Sequence, residues 1–315
     1  MISIRRLADA LAAVAVLPCL GVGVAALSGV GHRWIDLLAQ FAAPALSLAI
    51  VALVLGLVAR FRAAAASAAL SVLLLAVAVW GQAFPARGVP EPDSPRVTLY
   101  VANLHVENDD VDRIAASVAE ADADVVALVE VGPAVKAEID RVLAGYPHRA
   151  PERIGWRENI VASRRPLRPL RAPADGLFAQ GARVETALGP ITVFATHLTR
   201  PWPFQYQWGQ ISQAMALDDR MEAQPGPFVA AGDFNSVSNA RIGRQLKDMG
   251  LTPARGFPGT WPAGAPAFAR IGIDHAWVSP ELTVVSRRLG RPTGSDHSPI
   301  VVEIARAAPA APPTS

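Results

Sequence analysis

The chain has 315 residues, of which 51% are hydrophobic and only 18% charged. Its 29 basic and 27 acidic side chains leave a net charge of +2, which selects neither for nor against a nucleic-acid partner. The single cysteine, Cys19, excludes an intramolecular disulfide.

The apolar excess sits in the first 84 residues, in three stretches. Leu7 to Val30 carries one charge, Asp9, at its edge; Ile35 to Ala59 carries only Asp36, also at its edge; Ala63 to Phe84 carries none. Each can cross a hydrocarbon core of roughly 30 Å at about 1.5 Å per residue. The first alone would resemble a signal peptide with Arg5 and Arg6 as its basic end, but two more spans follow closely. The expectation is therefore a three-helix membrane anchor over residues 1–84, with spans at about 7–30, 35–59 and 63–84. Arg5 and Arg6, together with Arg60 and Arg62, fall on one face of such an anchor. The loop between the first two spans carries only His32, Arg33 and Asp36. The excess of basic residues puts the first face in the cytoplasm. This predicts a multi-pass protein of the inner (cytoplasmic) membrane, with its N-terminus inside and everything after Phe84 outside.

Residues 85–95 contain four prolines and two acids and read as a linker. The globular domain is expected over 96–305, followed by a tail, 306–315, rich in alanine and proline and with nothing to bury. Within the domain, strands are expected at Val97–Asn103, Val125–Glu130, Asn159–Ser163, Gly181–Leu188, Ile191–His197, Phe228–Gly232, Ile273–Val278, Leu282–Arg288 and Pro299–Ile304. Helical spacing marks Asp109–Ala121, where Asp109 or Asp110 can cap, together with Ala134–Leu143, Gln205–Met221 and Ala240–Met249. The alternation points to two packed sheets with helices outside.

Polar residues end several of the apolar runs. Asn103, Glu130 and His197 each close one, as does Gly232-Asp233-Phe234-Asn235; Ile273-Asp274-His275 precedes another, and Ser295-Asp296-His297-Ser298-Pro299 lies near the C-terminus. Singly, each has a plain structural reading as a solvated strand end, a turn former or a hydrogen-bonded histidine. Together at strand ends, these carboxylates, amides and imidazoles suggest a hard divalent cation beside an acid/base pair.

The order of these motifs resembles the endonuclease/exonuclease/phosphatase superfamily, with Gly232-Asp233-Phe234-Asn235 and Ser295-Asp296-His297-Ser298-Pro299 as the specific parts. The resemblance implies a deoxyribonuclease I-like, four-layer α/β/β/α sandwich and metal-dependent cleavage of phosphate esters. It makes Glu130 the primary ligand of Mg²⁺ or Mn²⁺, Asn103 a neutral oxygen beside it and Asp296 the residue that completes the shell. It pairs His297 with Asp274, which would fix the imidazole tautomer and raise its basicity, so that His297 either takes a proton from the attacking water or binds the phosphoryl oxygens. Asp233 and Asn235 would orient water and hold a phosphoryl oxygen, and His197 would donate to the developing charge. His105 stands where some nucleases of the superfamily carry an acid. His275, next to Asp274 on an expected strand, would point the opposite way and lies outside the set. Arg200, Trp202 and Trp261 are candidates for gripping the phosphate and an apolar part of the substrate.

The superfamily does not select a substrate. A domain tethered outside the membrane meets lipid phosphates, lipid-linked intermediates and extracellular nucleic acid. The layout also resembles a membrane-bound branch of the superfamily, which favours a lipid-linked phosphate. A surface nuclease would need a basic track, for which Arg164, Arg165, Arg168 and Arg171 are the available cluster. An inactive fold used as a tethered binding module is the remaining alternative.

Overall fold

The computed structural model describes residues 3–151, 159–171, 179–201 and 207–309. The N-terminal part forms α1 (Ile4–Leu27), α2 (Arg33–Ala39), α3 (Ala42–Ala59) and α4 (Arg62–Ala83). By length and composition, α1, α3 and α4 can cross a membrane. Their outer faces expose leucine and valine, such as Leu11, Val14, Leu55 and Leu73, while Ala42, Ala49, Leu75 and Val79 pack inside. The second apolar stretch, expected to be one helix over 35–59, is broken at Gln40 and Phe41. Pro44 explains the break. Its ring would collide with the carbonyl four residues back, that of Gln40, so proline is accommodated in the first turn of a new helix.

The Arg5 guanidinium donates to the Ala59 carbonyl at 3.1 Å, and the Asp9 carboxylate accepts from the Ala63 and Ala64 amides at 3.2 and 2.9 Å. These bonds bring Arg5, Arg60 and Arg62 to one end of the bundle. The chain leaves α4 for the globular domain at the other.

The domain runs β1 (Val97–Asn103), α5 (Val111–Ala121), β2 (Val125–Val129), α6 (Pro133–Ala137), α7 (Ile139–Val142), β3 (His148–Ala150), β4 (Ile160–Ser163), β5 (Leu167–Pro169), β6 (Ala179–Val184) and β7 (Ile191–His197). It continues with α8 (Gln207–Glu222), β8 (Phe228–Asp233), α9 (Arg241–Asp248), β9 (Thr252–Pro253), β10 (Asp274–Val278), β11 (Leu282–Leu289) and β12 (Ile300–Arg306). Two six-stranded sheets result, in the orders β11-β12-β1-β2-β4-β3 and β5-β6-β7-β8-β10-β9.

The layers follow from side-chain alternation along the strands. Leu99 and Val101 of β1 point between the sheets, where they join Val193, Ala195, Val229 and Ala276. Tyr100 and Ala102 point the other way, under Ile114 and Val118 of α5. On the second sheet, Phe194, Ala230 and Trp277 lie under Leu217 of α8 and Leu246 of α9. This is the expected α/β/β/α sandwich, preceded by three apolar helices.

Some details differ from the sequence reading. The helix expected over Ala134–Leu143 is two short helices, α6 and α7. The strand expected over Gly181–Leu188 is β6, two residues earlier at its start and ending at Val184. The edge strands β3, β5 and β9 have two or three residues each, too short to show periodicity. Residues 85–95 adhere to the domain: the Glu91 amide donates to Arg306 O at 2.9 Å, and the Thr283 hydroxyl donates to Gly88 O at 2.7 Å. In turn, the expected tail begins later than 306. β12 includes Arg306, and the Ala308 amide donates to Val89 O at 2.8 Å. The two segments satisfy one another's backbone groups at the edge of the sheet.

Candidate active site

Pairing geometry gathers the polar strand ends. β1 and β2 are parallel, with Asn103 opposite Val129, and so are β7 and β8, with His197 opposite Asp233. β10 runs antiparallel to β8 and places Asp274 opposite Asp233. The C-terminal ends of four strands and the start of a fifth therefore meet along one rim of the sandwich. Two backbone features sharpen the convergence. Glu130 adopts a left-handed conformation, φ 52°, directly after β2. Gly232 has φ 142°, and a Cβ there would lie 2.0 Å from the Thr196 carbonyl oxygen, so only glycine lets β8 close on β7 beside Asp233.

The side chains form a connected network. Asp274 Oδ2 lies 2.9 Å from His297 Nδ1, and His297 Nε2 faces Asp233 Oδ2 at 3.8 Å. His197 Nε2 lies 3.3 Å from Glu130 Oε1 and 3.9 Å from Asp233 Oδ2. The Asn103 amide donates to Glu130 Oε1 at 2.9 Å and to Asp233 Oδ2 at 3.0 Å, while its oxygen accepts from the His105 amide at 2.9 Å. The Asn235 side chain donates to Leu198 O at 2.9 Å and to Asp233 Oδ2 at 3.2 Å. Asn235 has φ 47°, a conformation asparagine tolerates.

Asp296 is half exposed. Its Oδ2 accepts from Trp261 Nε1 at 3.0 Å, and its Oδ1 lies 3.8 Å from His105 Nδ1 and 4.0 Å from His297 Nε2. His105 also stands 4.0 Å from Glu130 Oε2, between the two carboxylates.

Burial and charge set the protonation states. Burial opposes a charged His297, but the charges of Asp274 and Asp233 outweigh it and push the imidazole up to about 10. Burial would raise Asp274 as well, yet His297, by charge and hydrogen bond, and the Thr260 hydroxyl hold it below the usual carboxylate range. Asp233 is raised to about 6, chiefly by burial, against the pull of His297 and His197. The two buried carboxylates thus hold the His297 ring between them and favour its charged form.

The structure therefore brings together Asn103, Glu130, His197, Asp233, Asn235, Asp274, Asp296 and His297. Arg200 and Trp261 line the same cleft, which has a volume of about 220 Å³. Trp202 lies outside the described residues. His275 is buried on the other face of β10; its Nε2 meets Ser236 O at 3.0 Å, and its ring packs edge-on against Phe234.

Three contributors lie outside the set of roles assigned from the sequence. His105 is marked there only by its position two residues after Asn103. Thr260 has no signal, being a loop residue whose hydroxyl accepts from the Asp274 amide at 3.3 Å. The third is the anchor itself, since Leu37, Gln40 and Phe41 line the cleft. Leu37 and Phe41, apolar residues within an apolar stretch, give no hint of such a role.

Within the arginine cluster, Arg164 and Arg165 lie away from the cleft. In the β2–β4 pairing, Ser163 stands opposite Val125, at the end of β2 remote from Glu130, and Arg164 and Arg165 follow it. Arg164 is paired with Asp122 and lies over the Tyr146 ring.

Two sheets with flanking helices and a rim of carboxylates and imidazoles define a phosphoesterase-type sandwich. A family model for the endonuclease/exonuclease/phosphatase family matches residues 101–297, and the chain belongs to that family. Solved structures agree on the fold. An endonuclease/exonuclease/phosphatase from Beutenbergia cavernae DSM 12333 has a TM-score of 0.53 at 23% identity, covering 68% of this chain and 72% of that one. One from Bacteroides vulgatus has a TM-score of 0.56 at 17% identity, with 67% and 99% covered. Humanized D. rerio TDP2 has a TM-score of 0.52 at 16% identity, with 66% and 98% covered. A comparison with curated proteins gives no match.

Proposed function

We propose that the chain is a membrane-anchored, Mg²⁺-dependent phosphoesterase, with Mn²⁺ as an alternative ion, that hydrolyses a phosphate ester or phosphodiester of a lipid or lipid-linked substrate on the extracytoplasmic side. The observation that carries the chemistry is the Asp274–His297 pair, at 2.9 Å, set against Glu130, His197 and Asp233. The donor set suits a hard cation. Glu130, Asp233, Asp274 and Asp296 place four carboxylates in one network, and oxygen ligands match Mg²⁺. Glu130 and Asp296 would hold the ion with Asn103 beside them; Glu130, His197 and Asp233 form a closer-set alternative.

A bound divalent cation supplies positive charge to the phosphoryl oxygens as the transition state forms. His297 donates from Nε2 to one of those oxygens, its ring fixed through Nδ1 by Asp274. Asp233 orients the attacking water and accepts its proton, being the carboxylate nearest the His297 tip. Asn235, whose side chain donates to Asp233 Oδ2 at 3.2 Å, holds that carboxylate in place, and His197 donates to a non-bridging oxygen as negative charge builds.

Location supports a lipid over a nucleic acid. The catalytic rim opens toward the anchor, and Arg164 and Arg165 sit at the far ends of the strands. The four arginines of the opposite bundle end support an outside position for the domain. The test is Mg²⁺-dependent turnover by the full chain in detergent or lipid discs on bis-p-nitrophenyl phosphate, plasmid DNA, a phospholipid and a polyprenyl pyrophosphate. Glu130→Ala and His297→Ala are the controls. Lipid cleavage lost in both variants supports the reading, and cleavage of DNA alone makes the protein a surface nuclease. No metal-dependent turnover on any substrate favours a binding module.

A further inference from the structure

We infer that the anchor is part of the substrate site: the corner between α2 and α3, through Leu37 and Phe41, forms with Trp261 the wall that receives the hydrocarbon chain of a lipid phosphate entering sideways from the bilayer. This rests on the phosphoesterase reading and adds to it the residues that receive and select the lipid chain.

Continuity of the cleft is the first support. Leu37, Gln40 and Phe41 line the same cavity as Glu130, Asp233 and His297, so a phosphate at the carboxylate rim has its next atoms against the anchor. Below the corner, an apolar track runs from Phe41, the residue that caps α3, down that helix. Phe41, Leu48 and Leu55 are 42%, 64% and 62% exposed, and their seven-residue spacing puts them on one face of the helix. A chain leaving the cleft past Phe41 thus meets the lipid-facing side of α3.

The loop that carries Trp261 follows the same route. Trp261 and Ile271 pair across its base, and the Ser47 hydroxyl of α3 donates to Phe268 O at 2.9 Å. Ser47 is five residues into α3, about 7 Å along the axis. Phe268 is 67% exposed there, an aromatic side chain beside a helix long and apolar enough to cross a membrane. The Arg270 guanidinium ties this loop to the Ser298 hydroxyl at 3.1 Å, one residue from His297.

The corner is also held rigidly, as a wall requires and a tether does not. The Gln40 side chain accepts from the Val237 amide at 3.0 Å, and Asp36 accepts from the Arg241 amide at 2.7 Å. Asn239 donates to Ala78 O and accepts from Gln82 Nε2, both at 2.5 Å. The segment 236–241 that follows the Asp233 motif is thereby bolted to the outer ends of α2 and α4.

The test uses the full chain in lipid discs and two substrates sharing one leaving group, a long-chain alkyl p-nitrophenyl phosphate and methyl p-nitrophenyl phosphate. The readout is the ratio of kcat/KM for the long-chain over the methyl ester. Wild-type protein is expected to favour the long chain, each buried methylene contributing about fourfold. Phe41→Ala is expected to lower the ratio about tenfold, on the scale of two such methylenes, and Leu37→Ala to lower it less. Phe41→Leu, which keeps an apolar side chain, should retain most of it. Leu73→Ala, on the exposed face of α4, should leave it within about twofold.

A ratio unmoved by Phe41→Ala, or lowered as much by Leu73→Ala, overturns the inference. Wild-type turnover of the methyl ester with no preference for the long chain also overturns it while the phosphoesterase reading stands. Failure to hydrolyse either ester in Mg²⁺ or in Mn²⁺ removes the phosphoesterase reading and this inference with it.

Discussion

Asp36, in the short second helix of the anchor, accepts a hydrogen bond from the Arg241 amide at 2.7 Å and so caps a helix 205 residues away. The residue at the cap position of α9, Ala240, has no side chain that can do this. Asp36 is buried and also stands 3.8 Å from the Arg244 guanidinium. A carboxylate at a helix N-terminus satisfies an orphan amide and complements the helix dipole. An acid at the edge of an apolar stretch thereby becomes a joint between the N-terminal apolar helices and the sandwich.

Asp36→Ala is expected to cost about 1–2 kcal/mol, the usual scale for losing a cap. Asp36→Asn keeps an acceptor and should cost less. Unfolding midpoints of the two variants in detergent decide the matter. Equal midpoints for Asp36→Ala and wild type would mean that the bond contributes nothing to docking.

Asp274→Asn should leave the fold intact and lower kcat by about 100-fold or more, because His297 loses the group that fixes its tautomer and charge. His297→Ala should fall at least as far. The two residues act as one unit, so the double variant is expected to be no more than about threefold worse than His297→Ala alone. Multiplying losses in single-turnover measurements would show that Asp274 acts independently of His297.

The legible residues are those whose position carries two signals at once. Asn103, Glu130, His197 and Asp233 are polar and each ends an apolar run, so strand geometry and site chemistry point to the same place. Parallel pairing of β1 with β2 and of β7 with β8 then brings them to one rim. Leu37 and Phe41 carry no such double signal. Their apolar character fits a stretch long and apolar enough to cross a membrane, which hides any second role. The break at Gln40 and Phe41 was readable from Pro44, but hydropathy over a long window averages across it. β9 is legible only through its partner, since two residues have no period.

Removing one carboxylate from the network tests the metal. Without an ion, Glu130 adds charge to a site that already holds Asp233, Asp274 and Asp296. Glu130→Gln should therefore unfold at a higher temperature than wild type in chelator. It should also lose the stabilisation that Mg²⁺ gives wild type, about 1.4 kcal/mol at ten times the dissociation constant. An equal Mg²⁺-induced rise in both proteins would remove Glu130 from the ligand set.

His275 should make the fold sensitive to acid independently of catalysis. Burial pushes its imidazole down to about 4, against a hydrogen bond to the Ser236 carbonyl and the charge of Asp274 that favour the proton. In the unfolded chain the same ring titrates near 6.5. Above that value both states are neutral and the residue adds no pH dependence. Between 6.5 and 4 the unfolded state binds the proton and the folded state does not, so stability falls as the pH drops through this window. The full loss is roughly 3 kcal/mol, because each tenfold drop in proton affinity on folding costs about 1.4 kcal/mol. His275→Gln keeps a donor for Ser236 O and has nothing to titrate. Its unfolding midpoint should decline less than that of wild type from pH 6.5 to 4, whatever the carboxylates contribute to both proteins. Parallel declines would mean that the folded state accommodates the charged ring, and that the pocket formed by Phe234, Trp277 and Ser236 opens to water when the pH falls.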